Sequence, residues 1–216
     1  MIYLNTAQKI YISVATVVAL LIVLLLFVFI RKEVYLKKHF KEATYLKLSS
    51  LAENNDFLLL NNYKIDFDDS HVGLIDHLLI SKKYIFVIND FSLSGVISGE
   101  LRGRYLKVVN LKKQAADVSN PLNYNINLIK RLTMYNNLSQ SYVKGIVVIN
   151  DDSEINIKNQ SNQFYMVKRK DLKSFILNID KEDIGNLNEE SIVKFIYKLS
   201  KQNKEYDDTK KDSIES

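Results

Sequence analysis

Apolar residues fall along this chain as one long run followed by a series of short ones. The long run, Ile10 to Ile30, is 21 residues with only Tyr11, Ser13 and Thr16 polar. At the helical rise per residue it covers roughly 30 Å, the thickness of a bilayer's hydrocarbon core. It exceeds the apolar stretch of a secretory signal, no small-residue cleavage site follows it, and Arg31-Lys32-Glu33 reads as a stop-transfer flank. The pattern predicts a retained transmembrane helix at 10–30, with a short extracytoplasmic N-terminus at 1–9. Arg31, Lys32, Lys37, Lys38 and Lys41 follow the run, whereas only Lys9 lies just before it. The positive-inside rule then predicts a single-pass protein of the cell membrane with residues 31–216 in the cytoplasm. The same basic cluster suits anionic headgroups, which makes membrane lipid an expected partner.

Beyond the run the periods shorten. Between Glu33 and Glu53, Leu36, Phe40, Tyr45, Leu48 and Leu51 recur at roughly helical spacing, and Asn54-Asn55-Asp56 ends that helix. Phe57–Ile65, Val72–Ile80 and Tyr84–Phe91 read as strands, separated by polar turns at Asp66–Ser70 and Ser81–Lys83. Gly95, Gly99 and Gly103 read as turns and bulges, and Arg104–Asn110 as a fourth strand. Asn120-Pro121 is a helix start, with Asn as cap and Pro in the first turn, and Leu122, Ile126, Ile129 and Leu132 form its stripe to near Leu138. Val143–Asn150 is a continuous apolar strand of the kind buried on both faces. A short strand at Phe164–Val167, a short helix at Leu172–Ile179 and a last helix opening at Asn188-Glu189-Glu190 complete the domain, which is expected over 31–200. From Lys201 to Ser216 the chain is charged with almost nothing apolar, and is expected to be a disordered tail. The order of elements predicts an α/β domain in three layers.

Composition narrows the chemistry. The absence of Cys excludes disulfides, iron–sulfur clusters, Cys-ligated zinc and a Cys nucleophile. Of the six Gly none precedes Lys, so no Walker A loop exists, and no HExxH is present. Net charge is +5, much of it in the basic cluster after the long run.

From Val72 to Gly99 the sequence resembles the nuclease-related domain (NERD), a branch of the PD-(D/E)xK nuclease-like superfamily. Gly73-Leu74-Ile75-Asp76-His77-Leu78-Leu79-Ile80-Ser81 resembles the family's strand carrying I-D-H, and Tyr84-Ile85-Phe86-Val87-Ile88 resembles its G-I/V-F-V-I. Where the family continues E-T-K-N-x-x-G-x-I-x-G, this chain reads Asn89-Asp90-Phe91-Ser92-Leu93-Ser94-Gly95-Val96-Ile97-Ser98-Gly99 without a gap. Asn120-Pro121-Leu122-Asn123-Tyr124-Asn125 resembles its N-P-x-x-Q-N helix start with Tyr124 at the Gln position, and Lys144-Gly145-Ile146-Val147-Val148 matches the strand after it. The resemblance extends over roughly Lys41 to Asn150. It implies a restriction-endonuclease-like three-layer αβα core, with an N-terminal membrane anchor common in the family.

The resemblance also implies a site. Metal-dependent phosphodiester cleavage needs oxygen ligands for Mg²⁺ or Mn²⁺ and a group that activates water. In PD-(D/E)xK enzymes an Asp on one strand and an E-x-K on the next supply them, Glu and Lys sharing a face because strand side chains alternate. Asp76 matches the Asp and is the metal-ligand candidate, against the reading of a retained polar residue at a strand end satisfied by backbone donors. Asn89 stands at the Glu position, with a neutral carbonyl oxygen at best, and Phe91 at the Lys position, with nothing for metal, water or phosphate. Alternation sets Asp90 opposite to Asn89, so recruiting it requires a bulge or register shift. Alternation likewise turns His77 away from Asp76, as a structural histidine. Glu42 is the candidate for the acid that a helix adds to such sites, against the reading of a solvated helix surface. Lys107, Arg104 or Arg102 could replace the missing lysine, but spacing selects none of them, and it selects no DNA-binding set. Lys112, Lys113, Lys130 and Arg131 read as solvated charges.

Three functions follow from these readings. A catalytically degenerate nuclease-related domain keeps DNA as a partner on its former active-site face. A protein-interaction or scaffold module has lost both chemistry and DNA, and works with a membrane or cytoplasmic protein. A nuclease with a rearranged site uses Mg²⁺ or Mn²⁺; without activity no cofactor is expected. The sequence fixes neither the oligomeric state nor the process served.

Overall fold

A computed structural model describes residues 15, 18–28, 39–68, 71–110, 112–159, 161–182 and 185–212. The chain forms two compact units, residues 1–40 and 41–216. In the first, residues 18–28 are helical and their apolar side chains are exposed. Most of the flanks of the 10–30 run lie outside the described residues. Among the described residues no helix is long and apolar enough to cross a membrane.

The second unit is a mixed α/β domain. Helix α1 (Phe40–Asn55) buries Phe40, Thr44, Leu48, Leu51 and Ala52, one stripe at helical spacing. The side-chain amides of Asn54 and Asn55 turn back onto the carbonyls of Ser50 and Leu51, and Asp56 takes a left-handed φ of 56°, so the polar trio ends the helix as expected. Nine strands follow: β1 (Leu58–Asp68), β2 (His71–Ile80), β3 (Ile85–Asp90), β4 (Val96–Glu100), β5 (Tyr105–Val109), β6 (Ala115–Ser119), β7 (Val143–Ile149), β8 (Glu154–Lys158) and β9 (Phe164–Lys168). Helix α2 (Pro121–Asn136) lies between β6 and β7, and α3 (Leu172–Asp180) and α4 (Glu189–Asp212) close the chain.

The strands form two sheets. The first has the order β1-β2-β3-β7-β9, antiparallel across β1, β2 and β3 and parallel across β3, β7 and β9. The second has the order β6-β5-β4-β8, with β4 and β8 parallel. Its existence departs from the sequence expectation, because β4, β6 and β8 were not anticipated. Gly95 and Gly99 look like turn residues, yet both serve the close approach of β4 to β5: a Cβ on Gly95, at φ 114°, would stand 2.2 Å from the Val109 carbonyl oxygen. β6 is an exposed strand without apolar alternation, so it leaves no periodic trace. The first hairpin also differs, since β1 runs to Asp68 through residues expected to form the turn. Helix α4 continues to Asp212, through the charged stretch from Lys201 that hydropathy reads as a disordered tail. Lys, Gln and Glu are good helix formers, and a low apolar content does not prevent helix.

One face of the first sheet is shared. Leu78, Ile80, Ile85, Val87 and Val143 pack with Leu128, Ile129 and Leu132 of α2 and Phe195 and Leu199 of α4. Further along the same face, Val147 and Ile149 pack with Ile97, Leu106 and Val108 of the second sheet. On the other face Leu79, Phe86, Ile88, Ile146 and Val148 are fully buried. β7 is buried at every residue, as its continuous apolar run predicts.

Helix α2 is pinned at its start. The Asn120 side chain accepts from the Leu122 N–H at 3.0 Å and donates to the carbonyls of Glu100, Leu101 and Gly103. Asn125, fully buried, donates to Val87 and Ile146 across two strands. The helix approaches β7 at Gly145, where a Cβ would stand 2.7 Å from Asn125 Oδ1 and from a Phe164 ring carbon, and 2.9 Å from Ile129 Cδ1. Gly145→Ala is therefore expected to lose about 1–3 kcal/mol by overpacking. Urea unfolding measures it, and a loss below about 0.5 kcal/mol would refute the tight approach.

Candidate functional site

The site is built where β2 parts from β3. The ladder between them runs from Ile80↔Ile85 to His77↔Ile88 and stops. In β1, Asn62 has a left-handed φ of 54° and is skipped in a register that pairs Asn61 with His77 and Tyr63 with Ile75. Side-chain parity changes there in both strands. Leu60, Tyr63 and Ile65 pack on one cluster, as do Ile75, Leu78 and Ile80, which strict alternation forbids. No residue is inserted: Asn62 stands opposite Asp76 and the pairing resumes in the same register, so both strands turn their faces together at that position.

Side chains then take over the lost ladder bonds. Asp76 Oδ2 accepts the Asp90 N–H at 2.9 Å. Asn89 Nδ2 donates to the Leu74 carbonyl at 3.0 Å. The Tyr124 hydroxyl accepts from the Leu74 N–H at 2.9 Å and donates to the Leu74 carbonyl at 3.2 Å. Tyr124 occupies the family's Gln position, and Asn89 its Glu position, so both replacements hold one stretch of backbone. Phe91, at the Lys position, donates its N–H to Val148 and packs against the cluster between the two sheets.

Asp90 turns away from Asn89, as alternation predicts, and meets His77. His77 Nε2 stands 3.0 Å from Asp90 Oδ2, with the two side chains 4% and 1% exposed. His77 Nδ1 stands 2.6 Å from Asn61 Oδ1. The two ring nitrogens thus bridge Asn61 and Asp90, with the donor and acceptor roles set by the tautomer. Burial pushes the Asp90 carboxyl above its usual range, and the hydrogen bond from His77 and its charge pull it partly back; the Thr44 hydroxyl of α1 acts in the same downward direction. His77 is thus structural, as expected, but it is not remote from Asp76: both residues engage Asp90, through the side chain and the backbone respectively.

Helix α1 sends a lysine to this site. Lys41 Nζ donates to Asp76 Oδ1 at 2.6 Å, and the bond holds the Lys41 ammonium above its usual pKa, with the Asp76 and Asp90 charges adding to the effect against burial. Glu42 is exposed on the same turn. Lys107, Arg104 and Arg102 are exposed on and before β5 in the second sheet, where Arg104 stacks on the Tyr105 ring. The sequence reading therefore missed Lys41. The signal available was the polar Thr44 in the buried stripe, which fixes the inward face of α1 and sets Lys41 beside it.

The residues present do not fit the metal centre that the fold family implies. Asp76 has one oxygen on Lys41 and the other on the Asp90 amide, Asn89 spends its donor on Leu74, and Phe91 is a half-buried apolar side chain against the cluster between the sheets. Two buried acceptors, Asn89 Oδ1 and Asp90 Oδ1, have no hydrogen-bond partner. Among the described residues no group of three or more His, Asp or Glu side chains is placed to hold a metal ion. The arrangement can neutralise charge and hold backbone together; it lacks a group aimed at water.

A family model described as nuclease-related domain, NERD, matches residues 37–150. No curated protein and no solved structure matches the chain. The matched span runs from α1 to the end of β7 and so contains every residue of the site.

Removing His77 would strand Asp90. His77→Ala is expected to lose about 3–5 kcal/mol at neutral pH, the usual cost of leaving one member of a buried pair. A carboxyl whose folded pKa lies above its unfolded value contributes stability that is full below the unfolded pKa and fades as pH rises through the folded one. The loss in His77→Ala should therefore shrink from pH 7.5 to pH 4.5. Equal losses in urea midpoints at the two pH values would exclude Asp90 as the stranded charge.

Proposed function

Because the chain belongs to the nuclease-related domain family, we propose that it is a membrane-anchored, catalytically degenerate member whose former active-site face holds DNA without cutting it. In this reading the α/β domain is a restriction-endonuclease-like three-layer core. The observation that carries it is the use made of the E-x-K positions. Asn89 donates to Leu74, a bond that a carboxylate could not make, and Phe91 packs against the cluster between the sheets. Both positions have passed from chemistry to structure, so the domain has no positioned base and a single strand carboxylate already satisfied.

Support for the anchor is the apolar 10–30 run with its basic flank, together with the helical 18–28 stretch, which is apolar all round, with Leu20 65% and Leu25 69% exposed. This reading sets residues 1–9 outside and the domain in the cytoplasm. The surface that bears on DNA is a small one on the second sheet, where Arg104 stacks on Tyr105 beside exposed Lys107. A second reading, a protein-interaction module at the membrane, has its own observation. Met134, Tyr135, Val193 and Tyr197 on α2 and α4 are 48–69% exposed, more apolar surface than isolated exposed residues provide.

The test uses the full chain in detergent micelles with labelled double- and single-stranded DNA, Mg²⁺ present, over a series of salt concentrations. The expected result is affinity that falls steeply with salt, as when several phosphates are neutralised, with the DNA left intact. No binding even at low salt would remove DNA and favour the interaction module. Cleavage that needs Mn²⁺ or Mg²⁺ and disappears in Asp76→Ala would instead establish a nuclease with a rearranged site. Protease digestion of intact cells and of inverted vesicles tests the orientation: the domain should be cut only in the inverted vesicles.

A further inference from the structure

The exposed patch on α2 and α4 is charged as well as apolar. Both helices contribute to one buried cluster, through Leu128 and Leu132 of α2 and Phe195 and Leu199 of α4, and their outward faces lie together. On α2, Arg131, Met134 and Tyr135 stand at i, i+3 and i+4, and on α4 Lys194, Tyr197 and Lys198 repeat that spacing; all six are exposed. Lys198 Nζ lies 5.8 Å from the centre of the Tyr135 ring, which joins the two faces. No Asp or Glu occurs from Pro121 to Leu138 or from Ser191 to Lys204, stretches that carry six Lys or Arg, whereas the whole chain has 25 acidic residues against 30 basic. We infer that this face docks on an anionic phospholipid bilayer, its cations at the headgroup phosphates and Met134, Val193 and the two tyrosines at the edge of the acyl region. The inference gives the α/β domain a hold on the membrane of its own, and rests neither on DNA binding nor on the 10–30 run.

The occupant follows from the way charge and apolar surface are mixed. A protein interface gathers its apolar residues in a centre depleted of charge, with the charge at its rim. Here Lys194 and Lys198 stand on either side of Tyr197, and Lys198 covers Tyr135, so a protein finds no dry centre to fill. Nucleic acid would satisfy the cations and could stack on a tyrosine, but it would leave Met134 and Val193 in water, 68% and 64% exposed as they are. The headgroup layer of a bilayer takes all three kinds of side chain at once. Lysine lays its stem along apolar surface and keeps its ammonium at the phosphates, tyrosine settles at headgroup level, and Met and Val gain from the acyl boundary. Glu190 pairs with Lys194 at 2.8 Å at the edge of the patch, but the two side chains are 74% and 71% exposed, and headgroups can compete with so weak a pair.

The experiment uses the full chain, moved from detergent into bilayer discs of phosphatidylcholine alone or of phosphatidylcholine with roughly a quarter phosphatidylglycerol, at low and high salt. The chain has no Cys, so Val193→Cys and Met134→Cys each carry a single polarity-sensitive fluorophore, and Leu46→Cys, 59% exposed on α1, carries the control. The labels at 193 and 134 should shift to the blue in the anionic discs and not in the neutral ones, and high salt should reverse the shift. The label at 46 should not respond. Changing Arg131, Lys194 and Lys198 to Gln should abolish the shift, each lost cation weakening docking by about fivefold. The exchange Arg131→Lys/Lys194→Arg/Lys198→Arg should keep it. All three side chains are exposed, and circular dichroism should show the wild-type fold in both triple variants.

Labels that stay in a watery environment in the anionic discs overturn the inference. So does a shift that is equal in neutral discs or that survives the change to Gln. A shift in detergent that grows with protein concentration would make a second copy the occupant, and one that appears in neutral discs on adding double-stranded DNA would make it nucleic acid; either overturns the lipid assignment. Failure of the anchor reads differently. The chain then elutes free of the neutral discs while the labels still shift on phosphatidylglycerol vesicles, which supports the inference without the 10–30 run.

Discussion

The Asp76 carboxylate does the work of a missing strand residue. Where β2 leaves β3, an N–H on β3 would be left without its ladder partner, and an unpaired buried amide is costly. Asp76 Oδ2 takes that amide, and the rest of the local structure depends on it doing so. The same carboxylate turns its other oxygen toward α1 and gives the first turn of that helix a charge to hold. His77 pairs with Ile88, so ordinary alternation puts it on the same face as Asp90, and the two meet there as a buried pair. A strand that peeled away without these substitutes would expose Asn89, Leu74 and the end of β3 together.

Read this way, the site is assembled from repairs. Tyr124 serves both backbone groups of Leu74, Asn89 serves the carbonyl again, and Phe91 extends the apolar contact between the two sheets. Each of these side chains is of the wrong chemistry for phosphodiester cleavage and of the right chemistry for the place it occupies. The family match covers residues 37–150, and within it Asn89, Phe91 and Tyr124 all serve the packing of that span.

Elements with strong periodicity were legible in the sequence. The three leading strands, the capped helix at Pro121, the dry strand β7 and the short helix α3 each carry either a stripe or a continuous apolar run, and each formed where its pattern placed it, save that β1 runs on to Asp68. The second sheet was harder to read. β4 is broken by Gly95 and Gly99, which a pattern takes for turns, and β6 is exposed enough to have no apolar period. In the site, Asp76, Asn89 and Phe91 could be positioned by motif alone, and so could the opposition of Asn89 and Asp90. Lys41 could not, because its role depends on where a helix lies against a sheet, 35 residues away along the chain. The meeting of Asp76 with Asp90 was hidden for a different reason: it runs through the Asp90 backbone N–H, which side-chain alternation does not describe.

The bond from Asn89 to Leu74 has a bearing on reversibility. Glu at position 89 would set a carboxylate against a carbonyl oxygen, two acceptors with no proton between them, beside a tyrosine that already bonds both backbone groups of Leu74. Restoring Lys at position 91 would place an ammonium in the apolar seam between two sheets. Neither substitution is neutral by itself, and each depends on changes at Tyr124 or in the seam for its effect, the kind of coupling that contacting residues show. On the proposed reading, catalysis could return only through several such coupled changes made together.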